Sequence, residues 1–403
     1  MAPENQTSNT GAPASYQPVA IIGLSCRLPG DARNAEQFWE LLESARGAWS
    51  EIPKSRFNLD AFYHPDHTHR GTTHVKGGHF LSQDILDFDN SFFRLNAEVA
   101  AVRPLQAGLC MEDLAGSRTS VFAGAFHRDH HDSMMKDPDN LPRNTMLGAG
   151  TAMLANRISH YFDLRGPSLV ADTGCSTSHV ILHMACQSLQ TGDSTISVVT
   201  AGNVMLGPEP FISMSGLGLL SKDGRCYAFD SRASGYGRGE GAVSLVLKLE
   251  SQAIADGDNI HAVIRSTALN QDGRTPTITS PSQEAQEELI RECYQKAGLD
   301  PAETDYFECH GTGTQVGDLT EATAVRNVFR ASKSSSSGDH PLYVGSVKSN
   351  IGHLEAAAGL AGIVKVVQAM RHGKIPPNHD FQRPNPKIPL AEWGLTVSHN
   401  SLF

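Results

Sequence analysis

One cysteine and two histidines, Cys175, His310 and His353, each lie in a distinctive segment of this 403-residue chain. A thiol can take an acyl group as a thioester, and imidazoles can stabilise the negative charge that develops during acyl transfer. The combination therefore predicts thioester chemistry. The three segments are Asp172–Ser178 (DTGCSTS), Glu308–Thr314 (ECHGTGT) and Lys348–His353 (KSNIGH).

Cys175 stands between a strand-like apolar run, Leu169–Asp172, and a segment with helical apolar spacing, Ser178–Gln190. We expect its backbone at the N-terminus of that helix, where the dipole and free N–H groups stabilise a thiolate. The same N–H groups could hold an oxyanion. The alternative is a buried structural cysteine, which is the commoner fate of a lone cysteine.

The glycines beside His310 allow another chain or a ligand to approach the backbone closely, and Thr312 and Thr314 place hydroxyls on the same turn. His353 precedes a predicted long helix, Leu354–Met370. A helix N-terminus disfavours a cation, so we expect a neutral imidazole that can donate to a carbonyl or enolate oxygen. Taken alone, each histidine is better explained as a structural residue without chemistry.

Two charges flank His353 in the sequence. Lys348 lies five residues before it and Glu355 two residues after it, so they could form a local ion pair that fixes the loop. Two solvated charges are an equally good interpretation, because an exposed pair contributes little stability.

Two other segments superficially resemble binding motifs. The crowded segment His127–Asp132 (HRDHHD) matches no standard set of metal ligands, so a solvated loop is predicted and no metal site. The glycine-rich segment 235–241 contains neither a GxxxxGK[ST] nor a GxGxxG pattern, so it is not a phosphate loop.

Composition narrows the class of protein. Hydrophobic residues make up 39% and charged residues 19%, as in a globular protein, and the net charge of −10 argues against nucleic acid or an anionic membrane as partner. The seven cysteines are scattered and form no CxxC pair, which predicts free thiols in a reducing compartment and a cytoplasmic protein. Residues 1–16 are polar, unlike a signal peptide, and are expected to be disordered.

Apolar periodicity predicts alternating strands and helices, and hence an α/β fold with mostly parallel sheets. Because Cys175 and His310 each follow a strand, one in each half, we expect two similar halves that face a common site. Residues 50–90 and 206–240 are expected to be irregular, and the strands 242–247 and 261–265 to pair with each other. The other predicted strands are 19–24, 120–125, 169–172, 197–201, 305–308 and 343–346, and the other predicted helices are 35–42, 153–162, 178–190, 282–297 and 320–329.

Together these motifs resemble the β-ketoacyl synthase (ketosynthase) domain of type I polyketide synthases. The resemblance covers residues 17–397, and the amino-acid sequence of these motifs is most similar to that of fungal reducing synthases. Beyond the three segments above, it is carried by Val19–Leu24 (VAIIGL), Ala152–Ser159 (AMLANRIS), Leu164–Ser168 (LRGPS), Gly224–Asp230 (GRCYAFD), Tyr236–Gly241 (YGRGEG) and Asn270–Thr275 (NQDGRT).

The resemblance implies a thiolase-like fold of two related halves, about 17–255 and 256–403, within one ketosynthase-like domain that follows the tail 1–16. It also implies decarboxylative Claisen condensation in polyketide biosynthesis, with Cys175 carrying the acyl chain. His310 and His353 would bind the malonyl thioester, promote loss of CO₂ and stabilise the enolate.

The resemblance further implies that no cofactor is bound. Acyl and malonyl thioesters would arrive on the phosphopantetheine of an acyl carrier protein, with Thr312 and Thr314 beside that arm. Lys348 and Glu355 would support the histidines, and the protein would be a homodimer.

The chain departs from the family in three places. The family's cysteine motif reads Asp-Thr-Ala-Cys-Ser-Ser-Ser-Leu, whereas Gly174, Thr177 and His179 differ here, and a polar ring at His179 would destabilise the fold if buried without a partner. The stretch 93–116 is shorter than the family's long helix. The chain stops at Phe403, before a Phe-Gly-Gly-Thr-Asn loop that gives the family a second oxyanion donor, so the C-terminal strands are expected to be missing.

Loss of one oxyanion donor typically lowers the rate about 100- to 1000-fold. The alternative hypothesis is therefore a truncated ketosynthase-like protein with little activity alone, either a remnant or a subunit completed by another chain. A thiolase is disfavoured because thiolases use a second cysteine as base, and a plain binding module leaves the three motifs unexplained.

Overall fold

The computed structural model describes residues 16–85, 114–330 and 341–398. The strands are β1 (Val19–Arg27), β2 (Trp49–Glu51), β3 (Gly77–His79), β4 (Thr119–Gly124), β5 (Ser168–Ala171), β6 (Ile196–Asn203), β7 (Gly241–Leu249), β8 (Ala262–Ile264), β9 (Tyr306–Glu308), β10 (Leu342–Gly345) and β11 (Leu395–Val397). The helices are α1 (Ala35–Glu43), α2 (Asp129–Met134), α3 (Thr145–Ala149), α4 (Met153–Tyr161), α5 (Thr177–Gln190), α6 (Glu209–Gly216), α7 (Glu250–Asp256), α8 (Gln283–Ala297), α9 (Gln315–Phe329), α10 (Lys348–Ile351) and α11 (Ala358–His372).

The larger sheet has six strands in the order β5-β4-β6-β7-β1-β8. β4 runs parallel to both β5 and β6, whereas β7 is antiparallel to β6 and β1, and β8 is antiparallel to β1. This sheet is therefore mixed rather than mostly parallel. The predicted pairing of segments 242–247 and 261–265 is wrong, because β1 lies between them, with Val19 opposite Leu249 on one side and Ile264 on the other.

The smaller sheet has three parallel strands in the order β11-β10-β9. It lies in the C-terminal half and packs against its own apolar cluster, which includes Val325 and Phe329 of α9. A separate antiparallel pair, β2 and β3, and the helix α6 form in segments that the sequence predicted to be irregular.

The core between sheet and helices explains the apolar runs in the sequence. All six residues of β4 are buried, because α4 and α5 both pack against this strand. The predicted apolar face of α5 is confirmed, since Ile181, Leu182, Ala185 and Leu189 are all buried. This packing holds the end of β5 and the start of α5 in fixed positions.

Most of the predicted elements are confirmed to within a few residues. The predicted helix 354–370 begins instead with a 3-10 turn, Glu355–Ala357, before α11. The expected disordered tail 1–16 lies outside the described residues except for Tyr16, and the shortened stretch 93–116 lies outside them except for 114–116. Within the described ranges, no helix is both long and apolar enough to cross a membrane.

Candidate active site

Cys175 lies on a tight turn between β5 and α5. Gly174 has a φ of +67°, and the 3-10 turn Gly174–Ser176 leads directly into α5. Thr177 holds this turn, because its hydroxyl accepts from the Thr173 N–H at 2.8 Å and donates to the Gly174 carbonyl at 2.7 Å. The predicted position of Cys175 at the start of a helix is therefore confirmed.

The predicted stabilisation of a Cys175 thiolate is not seen. Burial raises the pKa of the Cys175 thiol to about 11, and the nearby charge of Glu355 adds to that rise, whereas Lys348 opposes it. Removing water from a thiolate beside a carboxylate outweighs the favourable field at the start of the helix. In the free protein, the thiol form therefore predominates at neutral pH.

His353 is held by its backbone and by one ring nitrogen. Its N–H donates to the Gly237 carbonyl at 2.8 Å, and its carbonyl accepts from the Gly239 N–H at 2.8 Å. Its Nδ1 accepts from the Glu355 N–H at 2.9 Å, so the proton of the neutral ring lies on Nε2. Burial lowers the pKa of His353 well below its usual range. The prediction of a neutral ring is confirmed, but burial is its main cause.

The Nε2 atom of His353 has no hydrogen-bond partner anywhere in the described part of the chain, although it is buried. A buried donor without a partner is unfavourable in the free protein and is available to a ligand oxygen. The ring of His310 packs against that of His353 edge to face, with centroids 5.5 Å apart and planes at 85°. The two predicted histidines are therefore neighbours.

A carboxylate on α9 fixes the backbone of His310. Glu321 accepts from the His310 N–H at 2.6 Å and from the Gly311 N–H at 2.9 Å. The His310 ring is reached by solvent, although protein atoms surround much of it. These surroundings, with Lys348 and His179 nearby, lower the pKa of His310 to about 3, so its ring is neutral near pH 7.

The predicted ion pair between Lys348 and Glu355 is wrong: within the residues that the structure describes, no such pair forms. The Glu355 carboxylate instead binds Arg238, at 2.7 Å to Nε and 3.1 Å to Nη2, and both side chains are buried. Lys348 is 4% exposed. Its charge lowers the pKa values of Cys175, His310 and His353, so Lys348 acts on the reacting groups.

Thr312 and Thr314 lie on the turn between β9 and α9, with their hydroxyl oxygens 3.2 Å apart. Gly313 between them has a φ of +78°, and a Cβ at that position would lie 2.6 Å from the Tyr227 nitrogen. Asp318 of α9 accepts from the Gly313 N–H at 3.1 Å. The Tyr227 backbone and α9 therefore hold this turn, which follows His310 in the chain.

The segment His127–Asp132 is not the solvated loop that the sequence predicted. His131 and Asp132 are paired with each other near the surface, but His127 Nε2 lies 3.3 Å from a buried oxygen of Glu355. Asp129, at the start of α2, accepts from backbone N–H groups of residues 206 and 207. Across the described ranges, no group of three or more His, Cys, Asp or Glu residues could hold a metal ion.

The His179 ring packs against Gly359, which has no side chain. A Cβ on Gly359 would lie 2.6 Å from Nε2 of His179, so the absence of a side chain at Gly359 admits the ring. His179 also has a hydrogen-bond contact with the Gly359 backbone. Part of the ring is exposed, so the expected penalty for a buried, unpaired ring does not apply.

Sequence reasoning missed Arg238, Glu321 and His127. Arg238 lies in the glycine-rich segment 235–241, which is not a phosphate loop. The backbone of this segment pairs with that of His353. Glu321 carried no signal, because its partner lies 11 residues away across a turn.

The arrangement can carry out acyl transfer. The turn that bears Cys175 packs against the turn Glu355–Ala357, which follows His353 directly. A thiol nucleophile, two neutral imidazoles and a buried ammonium group are therefore brought together, and His353 Nε2 has no hydrogen-bond partner in the described chain. Such donors can stabilise an oxyanion or an enolate.

Comparison with known proteins agrees with this geometry. A family model for the β-ketoacyl synthase N-terminal domain matches residues 16–253, and one for the C-terminal domain matches residues 261–382. The chain is 56% identical over 394 residues to a highly reducing polyketide synthase of Penicillium oxalicum, which covers 94% of this chain and 16% of that protein. It is 49% identical to the squalestatin tetraketide synthase of a Phoma species, covering 95% of this chain and 15% of that protein. The chain thus spans about one sixth of the length of these relatives.

Solved structures give the same result. A ketosynthase domain for oxazolomycin from Streptomyces albus superposes with a TM-score of 0.86 at 33% identity, covering 96% of this chain and 68% of that one. The module 6 ketosynthase of the bacillaene synthase of Bacillus subtilis gives a TM-score of 0.85 at 34% identity, covering 95% and 66%. The thiolase-like fold of two halves is thereby confirmed, and the chain belongs to the β-ketoacyl synthase family as a ketosynthase domain of the polyketide synthase type.

Proposed function

We propose that this chain catalyses the decarboxylative Claisen condensation of a Cys175-bound acyl group with a malonyl thioester in polyketide biosynthesis. The observation that carries this proposal is the buried, unpartnered Nε2–H of His353 beside the ring of His310. A donor held in this way matches the oxygen of an enolate, which accepts hydrogen bonds strongly because it is charged.

The proposed reaction has three steps. The Cys175 sulfur attacks the acyl thioester, the new thioester forms, and the carrier thiol leaves with the proton of Cys175. The malonyl C–C bond to the carboxylate then breaks, CO₂ leaves, and its electron pair forms an enolate whose oxygen accepts hydrogen bonds from His310 and His353. The enolate carbon attacks the acyl carbonyl carbon, the bond from that carbon to the Cys175 sulfur breaks, and the sulfur takes a proton from water.

The high pKa of Cys175 limits the first step in the free protein. Lys348 favours the thiolate, whereas burial and Glu355 oppose it. We therefore infer that acylation proceeds as the proton is lost to the leaving carrier thiol rather than from a preformed thiolate. The Lys348 charge would also favour binding of the malonyl carboxylate before decarboxylation.

The partners are part of the proposal. The acyl and malonyl groups arrive on the phosphopantetheine of an acyl carrier protein, with Thr312 and Thr314 beside the arm. Support comes from their place on the His310 turn. We also propose two halves, about 17–255 and 256–403, because their boundary lies close to the gap between the family matches at 16–253 and 261–382. The six described cysteines are free thiols, which suits a cytoplasmic protein.

We further propose a homodimer. β5 is an edge strand of the six-stranded sheet, and nothing in the described part of the chain pairs with its outer edge. Met146 and Leu147 of α3 are 72% and 55% exposed, which is unusual for large apolar side chains. Pairing of two copies along β5 would cover this surface, and sedimentation analysis should give twice the monomer mass.

The decisive experiment is covalent labelling by an acyl thioester. The intact mass of the protein should increase by one acyl group, and Cys175→Ala should abolish the increase. Cys293→Ala, which removes a half-buried thiol on α8, is the matched control and should label like the parent. Labelling that survives Cys175→Ala would overturn the proposal. Acylation at Cys175 without subsequent condensation with malonyl thioester would instead support a ketosynthase relative with little activity alone.

A further inference from the structure

His127 connects the surface to the buried ion pair behind the active site. It lies shortly after the end of β4 at Gly124, its side chain is 21% exposed, and its Nε2 lies 3.3 Å from Oε2 of Glu355, which is fully buried. The geometry of this approach is outside that of a hydrogen bond, so the contact is electrostatic. The sequence offered no role for this histidine beyond a solvated loop.

Glu355 is the residue through which His127 would act. It has a φ of +51°, in the left-handed region that a non-glycine residue rarely adopts, so its neighbours must hold it there. Its N–H donates to Nδ1 of His353, and its carboxylate binds Arg238 through two hydrogen bonds. The turn that it begins packs against the turn of Cys175. A change at Glu355 therefore reaches both His353 and Cys175.

The positive charge near Glu355 does not fully balance its negative charge. Arg238 contributes one positive charge, and it is shared with Asp129, which also faces it. The negative charge of Glu355 also raises the pKa values of Tyr236 and Cys175. Lys348 acts on Cys175 but forms no ion pair with Glu355 in the described structure. Asp129 also faces His127. A positive charge on His127, shared between Asp129 and Glu355, would thus offset part of the Glu355 charge that Arg238 leaves.

We propose that His127 is a positioning residue of the active site, which holds the Glu355 carboxylate in place for orienting His353 and, when protonated, reduces the negative charge that faces Cys175. The proposal rests on the proposed condensing function for its biological meaning. The contact itself can be tested on the free protein, without any condensation.

The test is the rate at which Cys175 reacts with a small disulfide reagent, followed by mass spectrometry of its peptide over a range of pH. In His127→Gln the side chain remains polar but carries no charge, so Cys175 should react more slowly than in the parent at pH values low enough to protonate His127. A decrease of about three- to tenfold corresponds to a change of half to one unit in the pKa of Cys175. At high pH the two proteins should react alike.

Two further variants separate charge from shape. His127→Lys keeps a positive charge at all pH values and should restore the rate at low pH and exceed the parent at high pH. His131→Gln removes a histidine from α2 that pairs with Asp132 instead, and it should match the parent. Equal reactivity of the parent, His127→Gln and His127→Lys at every pH would overturn the proposal.

A second measurement tests the effect of His127 on His353. The rate of CO₂ release from a malonyl thioester should fall in His127→Gln and recover in His127→Lys. If the parent releases no CO₂ but the Cys175 rates differ as expected, then the proposed function is wrong and the positioning role of His127 stands. If the parent is active and the variants are identical to it in both readouts, then the positioning role alone is wrong.

Discussion

The groups that support the site and the groups that would react there differ in how completely they are bonded. Glu355 and Glu321, in the supporting layer, each accept two hydrogen bonds from within the chain. In the reacting layer, His353 Nε2 has no partner in the described structure, and Lys348 forms no ion pair there. Burying an unpaired donor or cation is unfavourable. The fold therefore satisfies the two carboxylates that hold the site, although Arg238 Nη1 and His127 Nε2 also have no hydrogen-bond partner in the described chain, and it leaves the reacting groups available to substrate.

The largest expected effect comes from breaking the supporting layer at Arg238. Arg238→Met leaves Glu355 as a buried carboxylate without its main partner, which should lower the free energy of unfolding by about 3–5 kcal/mol. Urea-induced unfolding measures this change. The double variant Arg238→Met/Glu355→Gln removes both charges and should recover most of the loss.

Arg165→Met is the control for that experiment, because it breaks an exposed pair with Asp163. Its effect should stay below about 1 kcal/mol. Equal destabilisation by Arg165→Met and Arg238→Met would contradict the claim that the buried pair of Arg238 and Glu355 contributes more to stability than an exposed ion pair.

The next effect concerns the reacting layer. His353→Leu removes the Nε2–H donor, so the rate of CO₂ release from a malonyl thioester should fall about 100- to 1000-fold. Stability should change far less, by about 1 kcal/mol, since only the hydrogen bond from the Glu355 N–H loses its acceptor. His183→Gln alters a histidine that bonds to Thr267 on the other side of α5, and it should react normally. A large loss of stability without a loss of rate would place His353 in the supporting layer instead.

The sequence predicts the reacting layer better than the supporting one. Cys175 and His310 were placed at strand ends because apolar runs and helical spacing are local signals, and β5, α5 and β9 form where those signals lie. Their family motifs are local too. The chemistry of the site could therefore be proposed from short segments alone.

The supporting layer depends on contacts between distant parts of the chain. Arg238 and Glu355 are 117 residues apart, and nothing in the local sequence of either indicates the other. The expected partner of Glu355, Lys348, was the nearest opposite charge, but the left-handed turn at Glu355 directs its carboxylate to Arg238 and His127. The raised pKa of Cys175 was missed for the same reason, because burial is a property of the whole fold.

His79 is a supporting residue that is not fully hydrogen-bonded. It lies in β3 within the supporting layer and is 1% exposed, yet only its Nδ1 is bonded, at 3.3 Å to the Arg238 carbonyl, and its Nε2 has no partner in the described chain. Burial lowers the pKa of His79 to about 3. As pH falls below the ordinary value of about 6.5, the unfolded chain takes up a proton that the folded chain does not, so stability is lost.

Between about pH 7.5 and pH 5 this single residue should lower the free energy of unfolding by about 2 kcal/mol. His79→Gln should reduce the difference between the two pH values by that amount, measured by urea unfolding at each pH. His160→Gln, at the exposed end of α4, should leave the difference unchanged. An unchanged difference in His79→Gln would mean that the pKa of His79 is the same in the folded and unfolded chains.

The smallest effect expected is at the threonines that would contact the phosphopantetheine arm. Thr312→Val and Thr314→Val each remove a hydroxyl while keeping the shape of the turn, and one hydrogen bond is worth about 1 kcal/mol, or about fivefold in KM. The value of kcat should change little, since neither hydroxyl belongs to the His310 and His353 pair. Steady-state kinetics with a full pantetheine thioester measures the split. A short N-acetylcysteamine thioester lacks most of the arm, so the same variants should leave its KM unchanged. An equal rise in KM for both substrates would mean that the threonines support the His310 turn, and would move them from the reacting layer to the supporting one.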